Sequence, residues 1–294
     1  MISARKALRI VCMSKRILRG SRVVVTGASS GIGRELALEL SRRGAVVCAL
    51  ARRERELLAL VDEMNAIRMK NFASFPVHFC VVGDVCESDV RERAIAETVE
   101  RFGGLDILVN NAGAGATIPA EDTSDDLACE LFDLNFFSPF ELTKLALPSL
   151  KKSASSNENR EKGIRPLVIN LSSIVGLRGT PYYGVYGASK AALLTLTDAW
   201  RAELSCEGVD FLTVMPGTTS SQFFDVLLRD VRRPNFPNHR PALPKDVALA
   251  IANAAEQGRK RLVPVSRSAK LLYFLSRYFP GLTDTLMNQY SSQV

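Results

Sequence analysis

At 294 residues, 47% hydrophobic and 23% charged, the chain has the balance of a globular protein, which excludes a disordered or collagen-like one. Its net charge of +7 sits at the ends: residues 1–20 carry +6 and residues 257–294 carry +5, leaving −4 for residues 21–256. A mildly acidic body lacks the clustered bases of a phosphate-tracking groove, which excludes a nucleic-acid-binding core.

The first twenty residues hold Arg5, Lys6, Arg9, Lys15, Arg16 and Arg19 and no acid, and are expected to be an extension ahead of the fold. In a eukaryotic source this stretch resembles a mitochondrial presequence. The plainer alternative is an upstream start, with Met13 able to begin the chain at no loss to the fold. Apolar, strand-like runs then alternate with helical patterns, which predicts βαβ units. Strands are expected at 23–25, 45–50, 77–82, 106–109, 167–171, 211–215 and 262–265. Helices are expected at 34–43, 54–69, 90–101, 124–150 and 186–204, with another starting near Lys245. Pro139 and Pro148 should kink or end the fourth helix, and residues 151–166 read as a solvated loop. The fold class is α/β: one domain over residues 21–265, a doubly wound parallel sheet of about seven strands with helices on both faces. Six cysteines (Cys12, Cys48, Cys80, Cys86, Cys129, Cys206) lie far apart with no Cys-x-x-Cys, so no metal site is expected. Several lie in apolar stretches that favour burial, and the pattern fits a reducing, cytoplasmic compartment.

Between the first strand and first helix lies Thr26-Gly27-Ala28-Ser29-Ser30-Gly31-Ile32-Gly33. Gly27 allows a tight turn, Gly31 lets backbone approach a pyrophosphate, and Gly33 permits close helix–strand packing. Open amides at the helix start then face the anion. A dinucleotide carrying only a ribose hydroxyl calls for an acid at the end of the second strand. Here that strand ends Leu50-Ala51-Arg52-Arg53, and an arginine suits a 2′-phosphate. NADP(H) is therefore favoured over NAD(H), with Arg52 as the phosphate ligand and Ser29, Ser30 and Arg34 as helpers. Arg53 is read as a solvated helix start.

Tyr186 is followed four residues later by Lys190. On a helix the two share a face, where an ammonium would favour phenolate and lower a pKa that is otherwise about 10. Such a tyrosine can exchange protons near neutral pH, although a lone pair of this kind is as often an exposed helix pair. Ser173, thirteen residues before Tyr186, follows a strand end, where α/β sheets place ligands. Its hydroxyl could donate to a substrate oxygen as charge develops. Asn110-Asn111-Ala112-Gly113 also follows a strand. Asn135 sits in an apolar helical stretch where an amide needs partners, the plainer reading being a side chain bonded within its own helix.

Taken together, Thr26 to Gly33, Asp84, Asn110 to Gly113, Asn135, Ser173, Tyr186/Lys190 and Pro216-Gly217 resemble the compact branch of the short-chain dehydrogenase/reductase family, over roughly residues 21 to 265. That resemblance implies a Rossmann fold in which Tyr186 is the general acid/base and Ser173 orients the substrate carbonyl. Lys190 would lower the tyrosine pKa and hold the nicotinamide ribose, and Asn135 would complete a proton relay through water. The cofactor would meet Gly27, Ser29, Ser30, Gly31, Ile32, Gly33 and Arg34 in the turn. It would also meet Asp84 and Val85 at the adenine end, and Asn110, Ala112 and Gly113 along the cleft. The family's threonine four positions after Gly217 is replaced here by Ser221, with Thr218 and Thr219 nearby. The implied reaction is NADP(H)-dependent reduction of a ketone or aldehyde, reversibly oxidising a secondary alcohol.

Residues 218–245 are the expected substrate lid. Phe223, Phe224, Val226, Leu227 and Leu228 make it apolar, which suits a lipid-like, steroid-like or 3-oxoacyl carbonyl; a lid helix that merely packs on the body reads equally well. His239 is expected at the surface. Residues 268–279 form an apolar-aromatic run flanked by Lys270 and Arg277. It is too short to span a bilayer, which takes ~20 apolar residues. A helix docked on the body is the preferred reading, with peripheral membrane contact as the alternative. A homodimer or homotetramer is expected from the family resemblance. The rival functional class is a non-catalytic NADP(H)-binding sensor or scaffold, which would have no need of the Tyr186/Lys190 pair.

Overall fold

A computed structural model describes residues 15–220, 228–230, 241–262 and 267–291. Seven parallel strands form the main sheet: β1 (Arg22–Thr26), β2 (Val46–Ala51), β3 (Phe79–Val82), β4 (Ile107–Asn110), β6 (Leu167–Leu171), β7 (Asp210–Val214) and β9 (Arg261–Leu262). Two further strands, β5 (Ala116–Thr117) and β8 (Arg229–Asp230), pair with each other, also in parallel. The main order is β3-β2-β1-β4-β6-β7-β9. Its direction of growth reverses between β1 and β4, the switch point at which open α/β sheets bind ligands.

The central strands read as unbroken hydrophobic runs because both faces are covered. In β1, Val23 and Val25 enter one core and Val24 the other, and all three are fully buried. The first core packs under α1 (Gly31–Arg42), α2 (Glu54–Asn71) and α8 (Pro244–Glu256). The second packs under α3 (Ser88–Phe102), α5 (Ser138–Ser155) and α7 (Gly184–Glu203). A shorter helix, α4 (Asp125–Phe132), passes into a π-helical turn over Asp133–Phe137 and then into α5.

The expected break at the prolines does not occur. Pro139 follows directly on the π-helical turn, through which the chain stays helical, and Pro148 lies inside a helix that continues to Ser155. The continuation of α5 to Ser155 and a further turn, α6 (Asn157–Glu161), together replace most of the expected loop. Tertiary anchors override the local breaker: Leu150 is fully buried, and both Ser153 and Asn159 donate to the buried Asp106 carboxylate. Asp106 also takes a paired contact from the Arg22 guanidinium.

The fold also begins before Ser21. Leu18 is buried, and the Arg16 guanidinium is buried among the carbonyls of Arg165 and Ala255 and the carboxylate of Asp210. Residues 1–14, with Cys12 and the rest of the expected extension, lie outside the described residues, as does His239. Cys48 is buried as expected and burial pushes its thiol up to about 12, but Cys86, Cys129 and Cys206 are exposed. The chain ends in two helices, α9 (Arg267–Tyr278) and α10 (Pro280–Ser291). No described helix is long and apolar enough to cross a membrane.

Candidate active site

The cleft is floored by the loops leaving β1 and β4, and they are tied to each other. Thr26, the last residue of β1, donates its hydroxyl to the Val109 carbonyl and accepts the amides of Asn111 and Ala112, both at 3.0 Å. In return the Asn111 side-chain amide donates to the carbonyls of Thr26 (2.8 Å) and Gly27 (3.2 Å). Gly27 takes φ 64°, a left-handed conformation suited to glycine, and a Cβ there would fall 2.8 Å from the Asn111 side-chain nitrogen. A Cβ on Gly33 would collide with the same amide and with the Gly27 carbonyl. Ser30 precedes α1 without making a side-chain cap, and the first turn holds no acid. The helix start therefore suits a diphosphate. The cradle fits a dinucleotide.

At the end of β2 the two arginines differ from expectation. Arg53 is half-buried, and its guanidinium donates twice to the Ser29 hydroxyl, at 3.0 and 3.2 Å. The Arg52 side chain is 74% exposed and meets Asp84 only at 3.5 Å. Arg53 begins α2 with φ −87° and ψ 98°, and that extended backbone lets its side chain lie along the glycine turn instead of in solvent. Arg34 is engaged elsewhere, donating at 2.7 Å to Glu63 of α2. Asp84 accepts the Cys86 amide, while Val85 is buried with its carbonyl held by Arg91. Ile32 packs against the first core.

The loop after β6 and the first turns of α7 bring Ser173, Tyr186 and Lys190 to one cleft. Ser173 hydrogen-bonds the Tyr186 phenol. Tyr186 is 8% exposed, and burial pushes its pKa up to about 12, opposed by the Ser173 bond and reinforced by Tyr183. The expected lowering by Lys190 is not among these influences. The Lys190 ammonium is also buried, and it donates at 3.0 Å to the Leu171 carbonyl at the end of β6. Burial alone brings its pKa down to about 8. A Cβ on Gly113 would lie 3.0 Å from that ammonium and 2.8 Å from the Asn135 carbonyl oxygen, so the three groups adjoin. A phenol that keeps its proton at neutral pH, beside a hydroxyl donor, can give a proton to a developing alkoxide.

Asn135 stands in the π-helical turn, fully buried, and its partners lie outside its own helix. Its carbonyl accepts the Ala114 amide at 3.2 Å, and its NH2 donates to the Ala114 carbonyl (2.9 Å) and the Ser189 hydroxyl (3.1 Å). Asn110 lies deeper, donating to Thr143 and Asn170.

A family model described as short chain dehydrogenase matches residues 21–231. The chain belongs to the short-chain dehydrogenase family. Among its relatives, the dehydrogenase is 30% identical over 277 residues (92% of this chain, 82% of the other) to Dehydrogenase/reductase SDR family member 7B of Xenopus laevis. It is 35% identical over 207 residues (70% of this chain) to 11-beta-hydroxysteroid dehydrogenase-like 4A of Arabidopsis thaliana, and spans 63% of that protein's length. Among solved structures, the alcohol dehydrogenase of Thermococcus sibiricus, complexed with 5-hydroxy-NADP, superposes with a TM-score of 0.69 at 25% identity. That match covers 83% of this chain and 95% of the other.

In this dehydrogenase the loop after β7 folds back on the start of α8. The Pro216 carbonyl accepts the Ile174 amide, Thr219 hydrogen-bonds the Gly217 carbonyl, and Thr219 bridges to Ala242. Ser221 and the lid residues Phe223, Phe224, Val226 and Leu227 lie outside the described residues. Leu228 does not, and it packs on the apolar cluster that includes Tyr186, Ala116, Ile118 and Leu131. Ser189, which links Asn135 to the Tyr186 carbonyl, and Tyr182 were not singled out from sequence, and Asn111, which ties the loops, was named only within the Asn110 to Gly113 run. Tyr182 has φ 68°, costly for a bulky residue, and its carbonyl accepts the Ile118 amide.

Proposed function

We propose that the dehydrogenase reduces a bulky, apolar ketone or aldehyde with NADPH, and that Tyr186, Ser173, Lys190 and Asn135 carry the reaction. The observation that carries this reading is the hydrogen bond between the half-buried Ser173 and the buried Tyr186 phenol, in the cleft that also holds the buried Lys190. The nicotinamide cofactor, when bound, supplies the hydride. Ser173 polarises the substrate carbonyl, and Tyr186, protonated at neutral pH, gives its proton to the oxygen. Lys190, at the end of β6, would hold the nicotinamide ribose and pass a proton toward the phenolate. Three hydrogen bonds leave the Asn135 carbonyl one free lone pair, the capacity a water relay toward Lys190 needs.

The NADP preference rests on two arginines and no acid at the end of β2. Arg52 remains the proposed phosphate ligand, and Arg53, held against Ser29, joins it. Gly27, Ser30, Gly31, Ile32 and Gly33 would cradle the diphosphate. Asp84 and Val85 would receive the adenine, Asn110, Ala112 and Gly113 would line the cleft, and Pro216, Gly217, Thr219 and Ser221 would face the nicotinamide. The apolar cluster around Tyr186 supports a lipid-like, steroid-like or 3-oxoacyl substrate. A cytoplasmic homodimer or homotetramer completes the reading, since family members are commonly oligomeric.

NADPH oxidation measured over ketosteroids, 3-oxoacyl thioesters and fatty aldehydes, with a parallel NADH arm, tests it. Turnover of at least one class with NADPH, reduced about 10²–10⁴-fold in Tyr186→Phe, is expected. Undiminished turnover in that variant, or a preference for NADH, overturns the corresponding assignment. A dinucleotide-binding chain that turns over no carbonyl would be the sensor or scaffold instead.

A further inference from the structure

Thirteen large hydrophobic residues are exposed among the described ones, and five of them lie between positions 271 and 282. Leu271, Phe274, Tyr278, Phe279 and Leu282 are each between 49% and 62% exposed. The first three share one face of α9, being three and four residues apart, and the last two continue across the turn into α10. They are contiguous: the Phe274 ring stands 4.9 Å from that of Tyr278 and 6.1 Å from that of Phe279. Lys270 and Arg277 are exposed beside them, and residues 257–283 contain no acid. On the opposite side Thr283 and Met287 are buried, and Asp284 forms an ion pair with Arg178. Arg178 lies in the segment joining Ser173 to Tyr186, so the patch is fastened beside the active-site loop.

We propose that this face docks on an anionic bilayer, with its aromatic and leucine side chains in the interface and Lys270 and Arg277 on the headgroups. Charge selects this occupant over a second copy of the chain. A two-fold contact would place the patch on itself, bringing the basic residues together, and the one acid of residues 257–294, Asp284, is already engaged by Arg178. An anionic surface neutralises them and accepts the apolar stripe. Docking so close to the Ser173–Tyr186 segment would let an apolar carbonyl pass from the bilayer to the site. That consequence rests on the proposed reductase activity; docking itself does not.

The test is flotation of the full chain with vesicles of phosphatidylcholine alone or with 30 mol% phosphatidylglycerol. Binding to the anionic vesicles, weakened by salt, is expected. At about 1 kcal/mol per basic residue, Lys270→Gln/Arg277→Gln should lower the partition coefficient about 30-fold. Phe274→Ser/Phe279→Ser should abolish binding while cofactor binding is retained. Tyr186→Phe should bind vesicles like the unaltered chain, which separates docking from catalysis. Failure to bind anionic vesicles, or equal binding by the patch variants, overturns the proposal. So does a smaller oligomer in Phe274→Ser/Phe279→Ser with vesicle binding unchanged, which would make the patch an interface between copies.

Discussion

His78 offers a sharp test of the packing logic beneath the cofactor end. It is 2% exposed, its Nδ1 accepts the Val47 amide in the middle of β2 at 2.9 Å, and its Nε2 meets the Ser41 hydroxyl at 3.1 Å. A ring that accepts at Nδ1 carries its proton at Nε2 and must be neutral. Protonation would aim an N–H at the Val47 N–H. Burial, with a smaller push from Arg68, accordingly lowers the pKa to about 4 from an ordinary 6.5. The folded state thus refuses a proton that the unfolded chain accepts. Stability is full above pH 6.5 and falls as pH drops toward 4, by about 3 kcal/mol in all. Between pH 7 and pH 5 the loss should be about 2 kcal/mol. Urea midpoints of the unaltered protein and of His78→Gln at these two pH values isolate the effect, because the variant lacks the titrating ring. The unaltered protein should lose about 2 kcal/mol more than the variant. Equal losses would refute the reasoning. Since β2 leads straight to Arg52 and Arg53, the same acid shift should weaken NADPH binding before global unfolding.

Arg53→Ala should raise the KM for NADPH about 10–100-fold, the range of a charge-assisted contact, and leave that for NADH nearly unchanged. An equal rise for both cofactors would mean that the Ser29 contact is purely structural. Asn135→Ala strands the Ala114 amide and carbonyl, each costing about 1–3 kcal/mol, and the thermal midpoint should fall accordingly. Burial lowers the Lys190 pKa to about 8 from 10.5, so the folded state sheds a proton before the unfolded one does. That penalty is present below pH 8 and relieved as pH rises toward 10.5. The protein should gain about 1 kcal/mol from this group between pH 7 and 9, a gain absent in Lys190→Met.

The parallel sheet, the glycine turn and the Ser173/Tyr186/Lys190 set were all legible in the sequence, because each depends on local spacing. What escaped depends on contacts between distant positions. Asn111 acts on Thr26 and Gly27, more than eighty residues away, and nothing beside it in the sequence announces that bond. Arg52 and Arg53 are chemically identical neighbours, and only the backbone angle where β2 ends and α2 begins decides which one reaches Ser29. The helix through Pro148 persists because Leu150, Ser153 and Asn159 are held by the core, a gain no local propensity records. Arg16 falls, by its basic neighbours, in the expected extension ahead of the fold, yet its partners at 165, 210 and 255 bury it. The mutual influence expected of Tyr186 and Lys190 is absent from both, and burial acts on each separately.

The cross-ties between the β1 and β4 loops bear on how affinity is set. Thr26 and Asn111 fasten one loop to the other through protein-to-protein bonds that owe nothing to a ligand. A dinucleotide settling on this floor therefore has little backbone to immobilise, and preorganisation of this kind spares the entropy that binding otherwise costs. Differences in cofactor affinity among variants should then track the contacts each side chain makes. The exceptions should be changes at Thr26 or Asn111, which would weaken NADPH and NADH alike by loosening a surface neither of these residues has to touch.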